Sequence, residues 1–496
     1  MLLKDLAARL HHARIEGDGE IAITGIQMDS RLIKPGELFV CIPGIAGILE
    51  DRHDYAEDAV KRGAAALVVE REVQADPRVP RVFVNDARYA LATMAALYYG
   101  YPSNCLKVIG VTGTNGKTTT SHLIEHILKH RGFRTGLMGN IATRIGEEEK
   151  QFANNTQEPP DLQRNLLAMA DKQTDYCVME VTSQGLHMGR VIGTQFRTAV
   201  FTNLTQDHLD YHGTMEAYRE AKGLLFSRLG NAASADKTFA VLNADDAASG
   251  YFAGLTAAQP ITYGIGNNAD VMAKHIRLTD EGSDFTVVYR EEEMEVHIPL
   301  VGLFNVYNAL AAIAVALIEQ LPLAVIAGSL CAMKPVKGRM ERLEAGQNFT
   351  VLIDYAHTPD GLEEALKAVT AFVRGQVITV FGCGGDRDRD KRPQMGSIAA
   401  RYSDRIILTS DNPRYEHPDA IIKDICTGLE QSQFPAAHYE MIADRKEAIH
   451  RAISIAREDD VVVIAGKGHE AYQLVRGQRF DFDDREAALE ALRRLK

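Results

Sequence analysis

Short unbroken runs of branched apolar residues recur along this chain, separated by stretches with helical spacing. The runs are Leu38-Phe-Val-Cys-Ile42, Ala66-Leu-Val-Val69, Val82-Phe-Val84, Val108-Ile-Gly-Val111, Cys177-Val-Met-Glu-Val181, Thr198-Ala-Val-Phe-Thr202, Thr350-Val-Leu-Ile353, Val377-Ile-Thr-Val-Phe381, Arg405-Ile-Ile-Leu-Thr409 and Val461-Val-Val-Ile-Ala465. Apolar runs without polar alternation suit strands buried on both faces, as in parallel sheets. The pattern therefore predicts an α/β protein whose ligands bind at the carboxyl ends of its strands. It breaks at Tyr101-Pro-Ser103 and again at Lys334-Pro-Val-Lys-Gly338. These breaks predict three domains: a small α/β domain over 1–100, a central domain with a mostly parallel sheet over 101–335, and a Rossmann-like, doubly wound domain over 336–496. A length of 496 residues suits that number.

The run at Val108 leads into Gly113-Thr-Asn-Gly-Lys-Thr-Thr119, and a helical pattern follows. Strand, glycine loop, Lys-Thr and helix in that order make a phosphate cradle. Glycines let backbone N–H groups crowd a polyanion, and the helix N-terminus adds positive potential. Lys117 would neutralise outer phosphates, and the Thr118 hydroxyl could ligate Mg²⁺. The spacing departs from the common P-loop, whose first glycine would fall at Val111; here glycines stand at 110, 113 and 116.

Composition narrows the classes. A net charge of −12 argues against nucleic acid or an anionic membrane as partner, so an anionic substrate needs local bases. No apolar run approaches the ~20 residues of a membrane span. The charged N-terminus, Met1 to Leu10, lacks a signal-peptide core. Six cysteines without metal-like pairing suit a reducing cytoplasm, and Cys383 reads as buried rather than reactive.

Candidate chemistry clusters at strand ends. Glu180 ends one run, where a carboxylate can hold Mg²⁺ directly or through water. Asp207 and His208 follow the next run and are candidates for a second cation, whereas Asp210 and His212 read as loop and capping residues. Without thiolates this is not a zinc pattern. Lys222, alone on a helix, reads as a solvated surface lysine. Three polar loops follow three late runs: Gly382 to Pro393, Ser410-Asp-Asn-Pro-Arg-Tyr-Glu-His417 and Gly466-Lys-Gly-His-Glu470. In an open parallel sheet such ends share one edge, which suits recognition of a zwitterion.

These motifs resemble those of the Mur ligases, and within them the diaminopimelate-adding branch, over residues ~20–490 in order and spacing. The resemblance is carried by Gly113 to Thr119, Asn203-Leu-Thr-Gln-Asp-His-Leu-Asp-Tyr-His212, Gly302-Leu-Phe-Asn-Val-Tyr-Asn308, Gly338-Arg-Met-Glu341, Asp354-Tyr-Ala-His-Thr-Pro359, Asp411-Asn-Pro-Arg414 and Gly466 to Glu470. It implies an ATP- and Mg²⁺-dependent amide ligase of peptidoglycan synthesis, cytoplasmic and monomeric, with UDP-MurNAc-dipeptide and meso-diaminopimelate as small-molecule substrates. It places the uridine nucleotide on the first domain near Ser30. ATP falls to Gly113, Thr114, Asn115, Gly116, Lys117, Thr118, Thr119, Asn305, Arg339 and Asp354. Mg²⁺ falls to Thr118, Glu180, His208 and Lys222, the last as N6-carboxylysine. Lys117, Lys222 and His208 would be catalytic. The muramoyl peptide falls to Asn155, Thr156, Thr182 and Arg190, and diaminopimelate to Arg387, Asp411, Asn412, Pro413, Arg414, Gly466 and Glu470.

The chain departs from the family pattern mainly around the acceptor. It reads Asn155-Thr-Gln157-Glu where relatives read Thr-Thr-Pro-Glu, and Glu180-Val-Thr182-Ser-Gln184 where they read Glu-Val-Ser-Ser-His. Met188 replaces a glutamine, and Asp51-Arg-His53 replaces Asp-Gly-His. L-lysine as the amine, a different carboxylate acceptor, or a nucleotide-binding regulator without ligase activity are the alternatives.

Overall fold

The computed structural model describes residues 1–45, 49–150, 152, 154–231 and 237–495. The apolar runs form the inner strands of three sheets, because only strands covered on both faces can bury every side chain. The first sheet has the order Arg14–Glu16, Arg81–Phe83, Ala66–Val69, Leu38–Val40, Ile26–Gln27, parallel except at Arg14–Glu16.

The second sheet has 11 strands. At its centre lie β1 (Lys107–Thr112), β2 (Tyr176–Glu180) and β3 (Thr198–Phe201), with β1 between the other two and all parallel. Register sets both Glu180 and Val200 opposite Val111, so the loops after all three strands open on one edge. Helix α1 (Lys117–His130) leaves that edge, α2 (Met215–Ser227) lies beyond β3, and α3 (Leu303–Ile318) packs on α1. The α3 helix is apolar nearly all round and accordingly buried. The pattern predicted a mostly parallel sheet. Its parallel centre carries antiparallel wings as well: Thr143–Ile145 with Glu148–Lys150, and Val271–Leu278, Ser283–Tyr289 and Glu292–Ile298. Polar residues alternate through the larger wing because much of it faces water, so it produces no unbroken run.

The third sheet contains β4 (Thr350–Asp354), β5 (Val377–Phe381), β6 (Arg405–Leu408) and β7 (Val461–Ala465). Their order is β4-β7-β5-β6, all parallel, with Tyr439–Met441 beyond β6 and antiparallel Glu341–Leu343 beyond β4. The three polar loops therefore leave adjacent strands. A fully buried ion pair fixes this edge: Arg445 donates to Asp484 at 2.7 and 2.8 Å and to the Ala465 carbonyl at 2.9 Å. Among the described residues no helix is long and apolar enough to cross a membrane.

Candidate active site

Two glycines shape the phosphate loop. A Cβ on Gly113 (φ +155°) would lie 1.8 Å from Thr202 Oγ1, and one on Gly116 (φ +83°) 2.3 Å from Asn308 Oδ1. Residue 111, where the common motif has glycine, is here buried inside β1. Asn203 braces the loop: its carbonyl accepts from Thr114 N and its Oδ1 from Asn115 N, each at 2.9 Å. Thr118 and Thr119 are buried in the first turn of α1. Lys117 Nζ donates to the carbonyls of Gly113 and Thr114 at 2.9 and 2.7 Å. Burial lowers its pKa, against the pull of Glu180 and Asp207.

Glu180 faces this loop. Its Oε1 accepts from Thr118 Oγ1 at 2.9 Å and from Asn140 N at 2.8 Å, while Arg339 donates to Thr118 Oγ1 at 3.1 Å. Glu180 Oε2 has no hydrogen bond among the described residues. The Thr118 and Glu180 oxygens are hard donors of the kind Mg²⁺ prefers. Asp207 Oδ2 lies 3.4 Å from His208 Nε2. Burial favours neutral His208; it opposes ionisation of Asp207 too, but His208, His357 and Lys117 outweigh it and lower that pKa. Among the described residues no group of three or more His, Cys, Asp or Glu could hold a metal ion. The donor set thus suits Mg²⁺ shared with substrate phosphates and water, rather than an all-protein cage.

Lys222 is not the solvated lysine its sequence context suggested. Only 1% of it is exposed; its ammonium donates to the Gly113 carbonyl at 2.8 Å and lies 4.3 Å from the centre of the Tyr218 ring. Burial and the Lys117 charge hold its pKa well below the usual lysine value. A signal was present: Tyr218, Lys222 and Phe226 stand four apart, on the buried face of α2.

The residues expected at the nucleotide meet the loop unequally. Arg339 lies over the Tyr355 ring at 4.6 Å. Asp354 ends β4, buried, accepting from Met340 N at 2.7 Å and Ala356 N at 2.8 Å; burial raises its pKa. Asn305 is 1% exposed and bonds the Val301 carbonyl and Asn308, so it reaches the loop only through Asn308.

Among the residues expected at the acceptor, Thr156 Oγ1 bonds the Glu180 carbonyl at 3.1 Å and Thr182 Oγ1 at 3.0 Å. Thr182 also caps helix Ser183–His187. Arg190 pairs with Glu158 at 2.7 Å and bonds the Thr156 carbonyl and Met188 Sδ. Asn155 lies in the bend before Thr156. Ser30, in the first sheet's unit, is buried and does not line the cleft described next. Gln157 replaces the family proline and is 3% exposed; it donates to Thr143 Oγ1 at 2.5 Å and accepts from Asn165 at 2.7 Å. Its role is thus internal. Gln157→Leu is expected to leave both partners unpaired and cost about 1–3 kcal/mol, read by urea unfolding, without changing acceptor KM.

A cleft of about 1020 Å³ separates the central and C-terminal sheets. Asp207, His208 and Gln184 line one wall; Arg387, Asp411, Asn412, Arg414, Gly466 and Glu470 line the other. Arg414 (φ +52°) donates to the Gly385 carbonyl at 2.8 Å. Burial, then the Arg387 charge, lowers its pKa. Neither guanidinium has a carboxylate within ion-pair distance among the described residues. Pro413, grouped with these residues by the motif, does not line the cleft: its carbonyl packs where a Gly385 Cβ would stand, at 2.0 Å. That close approach requires glycine at 385. Cys383 is buried and its thiol is pushed up to about 12, as expected of an inert residue. Sequence reasoning gave no role to Lys467, which is fully buried against Asn412 and Glu470. It also missed Asp360, which accepts from Asn115 and Thr205 across the cleft. Both gain their meaning from partners distant in sequence.

Three family profiles match in chain order: Mur ligase family, catalytic domain, over residues 22–99; Mur ligase middle domain over 111–316; and Mur ligase, glutamate ligase domain, over 338–468. A UDP-N-acetylmuramoyl-L-alanyl-D-glutamate–2,6-diaminopimelate ligase of Bacillus licheniformis is 49% identical over 97% of this chain and 96% of its own. The chain belongs to the Mur ligase family. A second Mur ligase of the same description, from Geobacillus thermodenitrificans, is 49% identical over 99% of both chains. A solved structure of a ligase so described superposes with a TM-score of 0.69 at 32% identity, covering 100% of this chain and 99% of the other. In this Mur ligase Asp207 and His208 thus face the paired arginines across one cleft.

Proposed function

We propose that this chain joins meso-diaminopimelate to the D-glutamate γ-carboxylate of UDP-N-acetylmuramoyl-L-alanyl-D-glutamate, with ATP converted to ADP and phosphate. The observation that carries the amine assignment is the Arg387–Arg414 pair, two cleft-lining guanidiniums with no carboxylate within ion-pair distance among the described residues, near Glu470. Diaminopimelate brings a distal carboxylate for the arginines and a distal ammonium for the acid. L-lysine has no such carboxylate and would leave the arginines unpaired.

An acceptor carboxylate oxygen attacks the γ-phosphorus of ATP, and the bond to the ADP oxygen breaks. The neutral amine of diaminopimelate then attacks the acyl carbon. The tetrahedral intermediate expels phosphate, and the nitrogen loses a proton. Lys117 and the N-terminus of α1 stabilise charge on the transferring group. Mg²⁺ supplies further neutralisation when bound; Thr118 and Glu180 would hold one ion, and His208 with carboxylated Lys222 another. In this reading residues 1–100 hold the uridine nucleotide, 101–335 the ATP and 336–496 the amino acid. The enzyme acts as a cytoplasmic monomer, a setting that six free cysteines suit.

The test is direct. Enzyme, ATP, Mg²⁺, UDP-muramoyl-dipeptide and a panel of amines are incubated, and tripeptide and phosphate are measured. Both are expected with meso-diaminopimelate. Turnover with L-lysine alone, or ATP hydrolysis indifferent to amine and acceptor, would remove the assignment.

A further inference from the structure

Resting on that reading, we propose that Lys467 and the hairpin Tyr472–Val475/Gln478–Asp481 are the frame that sets amino-acid selectivity, Lys467 acting as a positioning residue. Lys467 is 0% exposed, yet its ammonium stays inside the amino-acid wall of the cleft. It donates to Asn412 Oδ1 at 3.2 Å and Glu470 Oε2 at 3.1 Å, with Asp411 Oδ1 at 3.8 Å and the centre of the Tyr472 ring at 5.4 Å. A buried lysine with such partners orients them, since each must keep its lone pairs on the ammonium.

Consider the Asn412 amide. Its oxygen accepts from two donors, Lys467 Nζ and Leu474 N at 2.9 Å. Its nitrogen must then point the other way, where one N–H reaches Glu470 Oε2 at 2.9 Å. The other N–H has no protein acceptor among the described residues. A flipped amide would set N–H groups against both donors, so the frame permits one orientation.

The hairpin holds the rest of the segment by one side chain and by backbone bonds. Gln473 Nε2 donates to the Asp411 carbonyl at 2.9 Å, Arg414 N to the Leu474 carbonyl at 2.9 Å, and Arg476 N to the Arg414 carbonyl at 2.6 Å. These bonds clamp Arg414 in its left-handed conformation and direct its guanidinium toward Gly385 and the cleft. The hairpin forms a sheet of two strands by itself, largely on the surface. The clamp on Asp411–Arg414 is thus its main connection to the chemistry.

The experiment measures KM for each substrate, and competition between meso-diaminopimelate and L-lysine, in full-length Lys467→Met, Lys467→Arg and Gln473→Leu. Lys467→Met is expected to raise KM for diaminopimelate about tenfold or more, as loss of a charged hydrogen-bond partner does. KM for ATP should stay within about twofold, and discrimination against L-lysine should fall in proportion. Lys467→Arg should recover part of that loss. Gln473→Leu leaves the buried lysine intact and should raise diaminopimelate KM about threefold; it carries the test if Lys467→Met fails to fold. Equal changes in all three KM values, or unaltered amine preference in folded variants, would overturn the inference. Absence of diaminopimelate ligation by the unsubstituted enzyme would instead overturn the reading beneath it.

Discussion

Lys222→Ala is expected to lower kcat by roughly 10²–10³, the scale of losing one preorganised group that stabilises developing charge. The fold should survive, because the substitution removes a buried amine whose only hydrogen bond among the described residues is to the Gly113 carbonyl. The chemistry starts from burial. A lysine nitrogen attacks CO2 only when neutral; it forms an N–C bond, releases a proton and becomes a carbamate. Desolvation and the neighbouring Lys117 charge both favour the neutral amine here. The free amine therefore persists to lower pH than in an exposed lysine. The product would be an anion beside the Lys117 cation, an attraction that favours the carbamate. It would also supply an oxygen ligand where the described side chains form no complete metal site.

Three readouts distinguish this from a structural role. Intact-mass measurement at saturating bicarbonate should show the carboxylated form in the parent and not in the variant. Short carboxylates should restore part of the Lys222→Ala activity by filling the vacated space. Activity of the parent should depend on bicarbonate more steeply as pH falls, since protonation of the amine then competes with carboxylation. A variant that keeps its activity, or a parent with no mass gain, would show Lys222 to be a buried structural cation.

The fold's frame was legible because parallel strands buried on both faces leave unbroken apolar runs. For the same reason the pattern alone sets the loops after β5, β6 and β7 on one edge. What escaped was set by tertiary partners. Gln157 reads as an altered acceptor contact until Thr143 and Asn165 are seen to hold it. Lys467 reads as one cation in a glycine loop until it is found fully buried between two other loops. Lys222 reads as surface if treated singly, and as core if its spacing from Tyr218 and Phe226 is counted. The antiparallel wings were hidden because strands half exposed to water share the polar content of loops.

Arg414→Gly is expected to move binding and stability in opposite directions. Arg414 adopts φ +52°, a conformation that costs an L-residue about 1–2 kcal/mol and glycine almost nothing. Its guanidinium is half-buried and repelled by Arg387. Removing the side chain relieves both conditions, while the backbone bonds to Leu474 and Arg476 can remain. Unfolding by urea should therefore require slightly more denaturant. Diaminopimelate KM should rise about 10–100-fold, as expected for losing a charged, bidentate partner worth about 1.5–3 kcal/mol. Arg414→Lys separates charge from geometry: it keeps the cation but loses the planar fork, so KM should still rise about tenfold with no gain in stability. An unchanged KM in both variants would mean that the distal carboxylate binds elsewhere. A stability loss in Arg414→Gly would mean that the Gly385 contact outweighs the strain. The expected pairing, a steadier fold with weaker binding, follows if the conformation and the bare arginine pair are kept for the substrate, since neither helps the chain to fold.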